Sequence, residues 1–490
     1  MRDPILECPR CGTQTPFVSA PGPCPQCKND YLEVQFDLDA IKHEAVPMWA
    51  QRPFNMWRYR ELLPLRNDAN IVSLGEGGTP LLPSSNLGTM LGHDYIFVKD
   101  ERQGPTGSFK DRQASLAISA MKEAGITEAV VASTGNVAIS YSAYCARAGI
   151  KLWAFLTSLV PADKMREVAL YGSEVIKITD TYDQCKVIAA EFAHHRGLFL
   201  DKGLKTIAAR QSMKTLAFEV CEQLGWLSGE GKWRAPDWYI QAVSGGMGPI
   251  GTWRGFEELY QLGLIDRLPK IAIVQTSGCA PMVTAFKAGR DTADIVTEPR
   301  THIATLATGN PGIAYAELRR IVQQSGGTME MVSDEEAFRA MHVMAKMDGL
   351  SVEPATGVAF AGLFNLISQQ RIKRSEIVVV NCSGHTFPVE KELLGDDWAR
   401  SIDAPVSAAA PAEGLLAALE RLDDRMRDIL IMDDTPEATL LLRRILQAHG
   451  RYTIREAANG RIGLEMVRAQ PPDLILLDLM MPEMDGFAVL

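Results

Sequence analysis

The stretch Pro105-Thr106-Gly107-Ser108-Phe109-Lys110-Asp111-Arg112 places a lysine at the start of a helical pattern, directly after a turn that contains proline and glycine. An amine that acts as a nucleophile must lose its proton, and burial near other positive groups lowers its pKa. The N-terminus of the predicted helix and the neighbouring Arg112 would both act in that sense. By itself the motif fits a solvated surface lysine about as well as a nucleophilic one. The choice between these two interpretations depends on the surrounding sequence.

On both sides of this lysine, from about residue 71 to about residue 394, short apolar runs alternate with amphipathic stretches. The apolar runs predict buried strands, and the stretches between them, such as Arg112 to Ala124, predict helices. This alternation is typical of βαβ units and predicts an α/β fold with parallel sheets. The predicted strands are Ala129-Val130-Val131-Ala132, Leu152-Trp153-Ala154-Phe155-Leu156, Trp238-Tyr239-Ile240, Ile271-Ala272-Ile273-Val274 and Ile377-Val378-Val379-Val380-Asn381.

Three of the predicted strands are followed by turns of small and polar residues. Small residues let backbone N–H groups approach a ligand, and a glycine-rich turn before a helix favours phosphate because the N–H groups and the helix dipole point at it. Glycine turns also serve tight packing, so one such turn alone is a weak signal. The three turns are Ser133-Thr134-Gly135-Asn136, Ser244-Gly245-Gly246-Met247-Gly248 and Cys382-Ser383-Gly384-His385.

The lysine stretch and the first two of these turns, together with two further motifs, resemble the threonine synthase family. They also resemble the wider group of fold-type II (tryptophan-synthase β-like) enzymes that use pyridoxal phosphate. The resemblance covers about residues 71 to 395 and implies two βα subdomains with parallel sheets. The order and spacing of five separate motifs make it specific for fold and cofactor. The two further motifs are Gly75-Glu76-Gly77-Gly78-Thr79-Pro80-Leu81 and Lys99-Asp100-Glu101.

The resemblance implies roles for individual residues. Lys110 would carry the cofactor covalently and then move protons, Asn136 would bind the ring oxygen, and Ser383 would lie beside the pyridine nitrogen. The turn that contains Gly245, Gly246, Met247 and Gly248 would hold the cofactor phosphate. The residues that would bind the substrate's phosphate and carboxylate are Lys99, Ser133, Thr134 and Arg210.

Some positions depart from the family pattern. These departures make the identity of the substrate less certain than that of the cofactor. Gly104 precedes Pro105 where asparagine is common, and the phosphate turn reads Ser-Gly-Gly-Met-Gly where threonine synthases often show Gly-Asn-x-Gly. The stretch around Arg210 matches the expected Asn-Pro…Arg…Gly-x-Lys-Thr pattern only loosely. The resemblance therefore determines the cofactor better than the substrate.

The reaction that the resemblance implies is that of a pyridoxal-phosphate-dependent carbon–oxygen lyase of threonine biosynthesis. Such an enzyme converts O-phospho-L-homoserine and water to L-threonine and phosphate. Two alternatives share the fold: a cysteate synthase-like β-replacement on phosphoserine, and an ammonia-lyase reaction on serine, threonine or diaminopropionate. An alternative of another class is a non-catalytic, cofactor-binding regulator linked to a receiver domain, against which intact Lys110 and Asn136 argue.

Two CxxC pairs, Cys8-Pro9-Arg10-Cys11 and Cys24-Pro25-Gln26-Cys27, lie near the N-terminus. Two such knuckles can bring four thiolates to one point, and a tetrahedral four-sulfur site favours structural Zn²⁺. The alternative is a set of reduced or disulfide-paired cysteines. We expect a zinc-ribbon-like module over residues 1–35, followed by a connecting helical segment over residues 36–70. The remaining cysteines are predicted to be small core residues.

A change of composition follows the catalytic domain predicted for residues 71–395. Residues 396–427 are rich in alanine and proline and predict an interdomain linker, with an irregular loop as the alternative. Residues 428–490 resemble the flavodoxin-like receiver domains of response regulators. Asp433, Asp434 and Asp478 stand at the ends of predicted strands, and the resemblance implies that Asp478 accepts a phosphoryl group while the other two hold Mg²⁺.

The receiver pattern stops at Leu490, before the later strands that carry serine or threonine and lysine in such domains. A partial sheet leaves an unpaired edge strand. We therefore expect a partial receiver of low stability that does not work as a phosphoswitch. Ordinary acidic strand ends are the alternative interpretation of the three aspartates.

Composition excludes some classes of partner. The chain has 490 residues, a net charge of −10, and 22% charged residues, so no domain-wide basic surplus exists to neutralise nucleic-acid phosphates. Neither a secretory signal nor an apolar run long enough to span a membrane is visible. The expected location is the cytoplasm and the expected ligand is a small phosphorylated amino acid. The resemblance permits a monomer or a homodimer.

Overall fold

The computed structural model describes residues 3–158, 160–229, 231–385, 428–449, 452–478, 481–484 and 486–489. The chain divides into two compact units, residues 1–394 and residues 395–490. The linker predicted for residues 396–427 lies outside the described residues.

Within its described residues, the first unit is built on three β-sheets. Its strands are β1 (Ile5–Glu7), β2 (Gln14–Pro16), β3 (Glu33–Gln35), β4 (Leu81–Pro83), β5 (Ile96–Asp100), β6 (Glu128–Ser133), β7 (Lys151–Thr157), β8 (Glu174–Ile178), β9 (Phe199–Leu200), β10 (Trp238–Ala242), β11 (Lys270–Thr276), β12 (Thr328–Val332) and β13 (Val378–Cys382). A small antiparallel sheet has the order β2-β1-β3. The central sheet has the order β12-β11-β10-β13-β5-β4 and is parallel except at the edge strand β4. A third, parallel sheet has the order β8-β7-β6-β9.

Helices cover the sheets of the first unit. They are α1 (Leu38–Glu44), α2 (Val46–Trp49), α3 (Ser85–Leu91), α4 (Lys110–Glu123), α5 (Asn136–Ala148), α6 (Ala162–Leu170), α7 (Tyr182–Arg196), α8 (Ile207–Ser212), α9 (Lys214–Ser228), α10 (Met247–Gln261), α11 (Pro281–Lys287), α12 (Ala314–Ser325), α13 (Asp334–Asp348) and α14 (Pro354–Ser368). Short 3₁₀ helices lie at Met56–Leu62, Asp68–Asn70, Glu101–Gln103, Gly203–Lys205, Ser277–Cys279 and Ala304–Leu306. Within the described part of the chain, no helix is both long and apolar enough to cross a membrane.

The predicted α/β fold with parallel sheets is confirmed. The five predicted strands correspond to β6, β7, β10, β11 and β13, and the helix predicted from Arg112 to Ala124 corresponds to α4. Strand β5 was not predicted, because its sequence, Ile-Phe-Val-Lys-Asp, ends in two charged residues. Both of these side chains are buried. Asp100 pairs with the nearby Arg102, but Lys99 pairs with Glu219, which lies far away in the sequence.

A buried cluster of four charged side chains joins α4 to β5 and α9. Lys99, Glu101, Arg112 and Glu219 are each at most 2% exposed. Arg112 donates from Nη1 to Glu219 Oε1 at 2.6 Å and from Nε to Glu101 Oε2 at 2.7 Å, while Lys99 Nζ lies 2.7 Å from Glu219 Oε2. Burial alone would raise the pKa of Glu219, but Arg112 and Lys99 outweigh that effect and lower it to about 2. Two cations therefore balance two carboxylates in the interior.

The second unit contains a small parallel sheet with the strands β14 (Asp428–Met432), β15 (Thr453–Ala457) and β16 (Leu474–Leu477) in the order β15-β14-β16. Its helices are α15 (Pro436–His449), α16 (Gly460–Ala469) and α17 (Gly486–Val489). Because β14 and β16 are parallel neighbours, with Met432 opposite Leu477, the residues that follow them emerge at the same edge of the sheet.

Removal of one member of the buried charge cluster should destabilise the first unit strongly. We expect Arg112→Leu to lower the free energy of unfolding by about 3–5 kcal/mol, because it leaves uncompensated carboxylates in the interior. Urea unfolding followed by tryptophan fluorescence measures this loss. The matched control is Arg374→Leu, which removes a surface ion pair with Asp94 whose arginine side chain is 72% exposed. It should cost at most about 1 kcal/mol, and equal losses in the two variants would contradict the role of the cluster.

Candidate active site

The main cavity of the first unit has a volume of about 540 Å³ and lies where several parallel strands end. Its walls include Ser133 at the end of β6, Asp201 just after β9 and Val243 just after β10. Ligand sites of parallel α/β sheets form at the carboxyl ends of the strands, where the chain leaves the sheet in loops.

Most of the side chains that the sequence singles out meet in this cavity. The predicted site residues that line it are Lys110, Ser133, Thr134, Asn136, Gly245, Gly246, Met247, Gly248 and Ser383. They come from positions up to 273 residues apart in the chain, counting from Lys110 to Ser383. The fold therefore gathers the separate motifs into one site.

Lys110 is the first residue of α4 and its amine lies 4.1 Å from the centroid of the Phe109 ring. Burial lowers the pKa of this amine to about 8, against the opposing influence of Glu353 and Asp201. At pH 7 roughly a tenth of a group with that pKa is neutral, far more than for an ordinary lysine with a pKa near 10.4. The geometry thus provides a nucleophilic amine that faces a cavity.

The glycine turn before α10 forms another wall of the cavity. Gly246 caps this helix with a φ of +76°, and a Cβ at that position would lie 2.8 Å from Leu318 Cδ1. A Cβ at Gly245 would meet no heavy atom within 4 Å. The N-terminus of a 15-residue helix is therefore open to a ligand, and such an end binds a phosphate group through its free N–H groups and its dipole.

Glu353 is a cavity residue that the sequence analysis missed. Its carboxylate accepts from Asn136 Nδ2 at 2.8 Å and from Ser383 Oγ at 2.7 Å, so it links two of the predicted residues. Lys164 completes this set by donating from Nζ to Asn136 Oδ1 at 2.7 Å. The signal that could have found Glu353 is a carboxylate placed directly before Pro354 at the start of a strongly apolar helix.

Two of the predicted substrate-binding residues do not reach the cavity. Lys99 is fully buried, and its ammonium donates to Thr79 O, Glu219 and Gln223 instead. The guanidinium of Arg210 donates to the carbonyls of Leu204 and Leu32, and it lines a different, smaller cavity. The structure therefore places neither of these cations at this cavity, because both are held by neighbours within the fold.

Ser133 and Thr134 do line the cavity, but the Ser133 hydroxyl already has partners. Its Oγ accepts from the backbone N–H groups of Gly135 at 3.0 Å and Ala138 at 3.1 Å, and so caps the start of α5. Lysines outside the predicted set supply positive charge to the cavity walls. These additional lysines are Lys186, Lys202 and Lys205.

Two clusters of potential metal ligands contain no residue that lines this cavity. In the first unit, the four CxxC cysteines have sulfur atoms that all lie within 4.8 Å of one another, with Cys8 and Cys27 at 3.5 Å and Cys11 and Cys24 at 3.6 Å. In the second unit, carboxylate oxygens of Asp433, Asp434 and Asp478 also lie within 4.8 Å of one another. Both predicted sets of ligands are therefore brought together.

Comparisons with known families match the two units of the chain to two different families. Residues 72–384 match the family described as pyridoxal-phosphate dependent enzyme. Residues 429–490 match the family described as response regulator receiver domain.

Alignments of the chain with individual relatives cover most of the length of each relative. The chain is 35% identical to the threonine synthase of Methanocaldococcus jannaschii over 358 residues, which is 72% of this chain and 86% of the relative. It is 31% identical to the threonine synthase of Methanosarcina acetivorans over 381 residues, 78% of this chain and 91% of the relative. Among solved structures, threonine deaminase isoform 2 from Solanum lycopersicum superposes with a TM-score of 0.54 at 20% identity, covering 64% of this chain and 82% of that one. At this identity the likeness shows the fold alone.

Replacement of Lys110 by alanine should prevent covalent attachment of pyridoxal phosphate. After incubation with the cofactor and reduction with borohydride, the unaltered protein is expected to carry about one adduct per chain and the variant almost none. Mass spectrometry of the intact protein measures the adduct. Lys186→Ala, which removes another lysine of the same cavity, is the matched control and should keep the adduct. An adduct that persists in Lys110→Ala would show that another lysine carries the cofactor.

Proposed function

Because the chain belongs to the pyridoxal-phosphate dependent enzyme family, we propose that its first unit is a threonine synthase, which converts O-phospho-L-homoserine and water to L-threonine and phosphate. The observation that carries this proposal is the identity of 31–35% to threonine synthases over more than 70% of the chain. The cavity around Lys110 supports the proposal, because it combines a buried amine with a glycine turn suited to phosphate.

The residues of the cavity fit pyridoxal phosphate. We propose that Lys110 carries the cofactor, that the turn from Gly245 to Gly248 holds its phosphate at the N-terminus of α10, and that Asn136 and Ser383 bind its ring. The open space at Gly245 and the lowered pKa of Lys110 both support this arrangement. When bound, the cofactor supplies an electron sink for negative charge that develops beside the amino group of the substrate.

The protein's own groups would then move protons and hold charges. With a pKa of about 8, the Lys110 amine can remove the α-proton of the substrate and later return a proton. Glu353 would act as a positioning residue, because its hydrogen bonds fix Asn136 and Ser383 relative to each other. Overall, phosphate would leave from Cγ, which gains a proton in its place, while Cβ would lose a proton and gain the hydroxyl group of water, whose other proton goes to the departing phosphate.

The charge of the cavity suits a substrate that carries both a phosphate and a carboxylate. Four lysines, including Lys110, face two carboxylates, Asp201 and Glu353, in its lining. We propose that Lys202 binds the substrate together with Lys186 and Lys205. The last two form ion pairs with Asp183 and Asp30, but their side chains are 40% and 38% exposed, unlike the buried Lys99 and Arg210. Cations placed around a departing phosphate stabilise the charge that develops on it.

A substrate panel should identify the reaction. We expect the protein to release equimolar phosphate and threonine from O-phospho-L-homoserine, and Lys110→Ala to reduce the rate by at least about 10³-fold. The panel also contains phosphoserine, serine, threonine and diaminopropionate, with phosphate, threonine and ammonia as readouts. Release of phosphate from phosphoserine without ammonia, when sulfite is supplied as the incoming nucleophile, would indicate β-replacement. Ammonia from the unphosphorylated substrates would indicate a lyase of the deaminase type. No turnover of any of them would favour the non-catalytic regulator.

We also propose that the four CxxC cysteines bind a structural Zn²⁺. Two similar turns present them: Gly12 N donates to Cys8 O at 2.8 Å and Lys28 N donates to Cys24 O at 3.0 Å. Tetrahedral zinc with bonds of about 2.3 Å sets neighbouring sulfurs about 3.8 Å apart, close to the separations found. A closed shell of four thiolates leaves no position for a substrate, so this metal would stabilise the fold.

Metal analysis should detect about one zinc ion per chain, and Cys24→Ser should remove almost all of it because three thiolates hold zinc much less well than four. Inductively coupled plasma mass spectrometry of the purified protein gives the stoichiometry. The control is Cys145→Ala, which alters a buried cysteine outside the cluster and should keep the zinc. Zinc-free protein that unfolds no more easily than the zinc-bound form would contradict a structural role.

In the second unit, we propose that Asp433, Asp434 and Asp478 bind Mg²⁺, with Asp478 at the position that accepts phosphate in receiver domains. We do not expect this unit to work as a phosphoswitch. The support is the proximity of the three carboxylates and the preference of Mg²⁺ for carboxylate oxygen. The receiver family match covers the segment that carries them.

A further inference from the structure

A chain of four hydrogen-bonded side chains lies along the active-site cavity. Lys164 Nζ donates to Asn136 Oδ1 at 2.7 Å, and Asn136 Nδ2 donates to Glu353 Oε2 at 2.8 Å. Ser383 Oγ donates to the other carboxylate oxygen, Glu353 Oε1, at 2.7 Å. Asn136, Glu353 and Ser383 all line the cavity. The chain thus joins the two residues that are proposed to bind the cofactor ring, and each of its hydrogen bonds has a definite direction.

The carboxylate of Glu353 is held in a narrow place. The residue is 4% exposed, and its backbone N–H donates to the carbonyl of Gly384 at 3.0 Å. A Cβ at Gly384 would lie 2.9 Å from Glu353 Cδ, so only a glycine at that position leaves room for the carboxyl group. Because the main chain and the side chain of Glu353 are both tied to the segment 383–384, the contact between its carboxylate and the Ser383 hydroxyl is a fixed part of the site.

The hydroxyl of Ser383 has one hydrogen and two lone pairs. Its hydrogen is donated to Glu353, and a charged acceptor binds a hydrogen about twice as strongly as a neutral one. Thr356 Oγ1 lies 3.0 Å from Ser383 Oγ and is the donor in that contact, because the hydrogen of Ser383 is already used. The backbone N–H of Ser383 donates to Thr356 Oγ1, and its carbonyl accepts from Phe109 N–H. The group that Ser383 still offers to a ligand is therefore one lone pair of its hydroxyl oxygen.

The amide of Asn136 is fixed in the opposite sense. Its Oδ1 accepts from Lys164, and one of its two Nδ2 hydrogens goes to Glu353. The other Nδ2 hydrogen remains for a ligand. Since an ammonium group has three donors and no acceptor, the amide cannot turn over without setting its own NH₂ group against Lys164. The chain thus presents a donor at Asn136 and an acceptor at Ser383.

We propose that this chain selects the protonation state of the cofactor ring: Ser383 accepts a hydrogen bond from a protonated ring nitrogen, and Asn136 donates one to an unprotonated ring oxygen. This inference rests on the cofactor site proposed above and goes beyond it by making Glu353 a positioning residue for the charge of the ring. A neutral pyridine nitrogen offers only a lone pair, so it would face the lone pair of Ser383 without a hydrogen bond. A positively charged ring takes up negative charge more readily than a neutral ring, and Glu353 acts on this capacity through Ser383.

Nitrogen NMR of the holoenzyme tests the proposal directly. The probe is pyridoxal phosphate labelled with ¹⁵N in its ring, because the ¹⁵N chemical shift of a pyridine separates its protonated form from its neutral form. Free pyridoxal phosphate in acid and in alkali gives the two reference positions. Near neutral pH, we expect the ring nitrogen of the unaltered protein at the protonated position.

Glu353→Gln should move the ring nitrogen to the neutral position. Since Lys164 fixes the amide of Asn136, the new glutamine must turn its oxygen toward Asn136 and its NH₂ group toward Ser383. The hydroxyl hydrogen of Ser383 is then free to be donated to the ring nitrogen. Ser383→Ala removes the acceptor itself and should also give the neutral position, so it decides the question if Glu353→Gln fails to fold.

Asp201→Asn is the matched control. It removes another carboxylate that lines the same cavity, but this carboxylate accepts from Tyr141 at 2.8 Å and does not belong to the chain. The variant loses the same charge as Glu353→Gln, and its ring nitrogen should stay at the protonated position. An equal change in both variants would mean that the general field of the cavity, and not the hydrogen bond of Ser383, controls the ring.

The proposal is overturned by such an equal change, by a neutral ring nitrogen in the unaltered protein, or by a protonated one in folded Glu353→Gln. The NMR signal does not depend on turnover, so an enzyme that leaves O-phospho-L-homoserine unchanged still gives a clear answer about the ring. Protein that retains no labelled cofactor would instead refute the proposed cofactor site, and this inference with it.

Discussion

Charge compensation around Arg112 is the constraint on which the position of Lys110 depends. Arg112 lies two residues after Lys110 on α4. Its guanidinium donates hydrogen bonds to Glu101 and Glu219, which belong to the segment after β5 and to α9. Isolated ions in a protein interior are costly, so assembly of this cluster and placement of α4 occur together. The lysine is thereby fixed at the edge of its cavity by an interaction that does not itself touch a ligand.

The sequence predicted the features that local patterns encode. Alternating apolar runs predicted the parallel strands, and the family resemblance of the short motifs marked Lys110, Asn136, the glycine turn and Ser383, which the structure brings to one cavity. The sequence could not predict which lysine and arginine side chains would pair with carboxylates in the protein interior. Lys99 pairs with Glu219, 120 residues away, and no periodicity reveals such a pair. Glu353 was missed for a related reason: its place before Pro354 at the start of an apolar helix is a weak signal, and its role becomes visible only through its contacts with Asn136 and Ser383.

The cysteine module lies outside the matched family region, residues 72–384, yet it packs on segments that belong to the catalytic unit. Ile207 shares an apolar cluster with Leu6, Phe17 and Val34, and Lys205 forms an ion pair with Asp30 at 3.0 Å. Lys205 also lines the active-site cavity. The residues between β9 and α9 are therefore held from one side by the module while their other side faces the cavity.

This contact has an evolutionary consequence. A catalytic unit that lost the cysteine module would expose Ile207 to water and deprive Arg210 of its partner carbonyl at Leu32. The module cannot then be exchanged or deleted as an independent cassette, and its loss in any lineage would require compensating substitutions along α8. Sequence variation at positions 205–212 should accordingly follow the presence or absence of the N-terminal cysteines in the same gene.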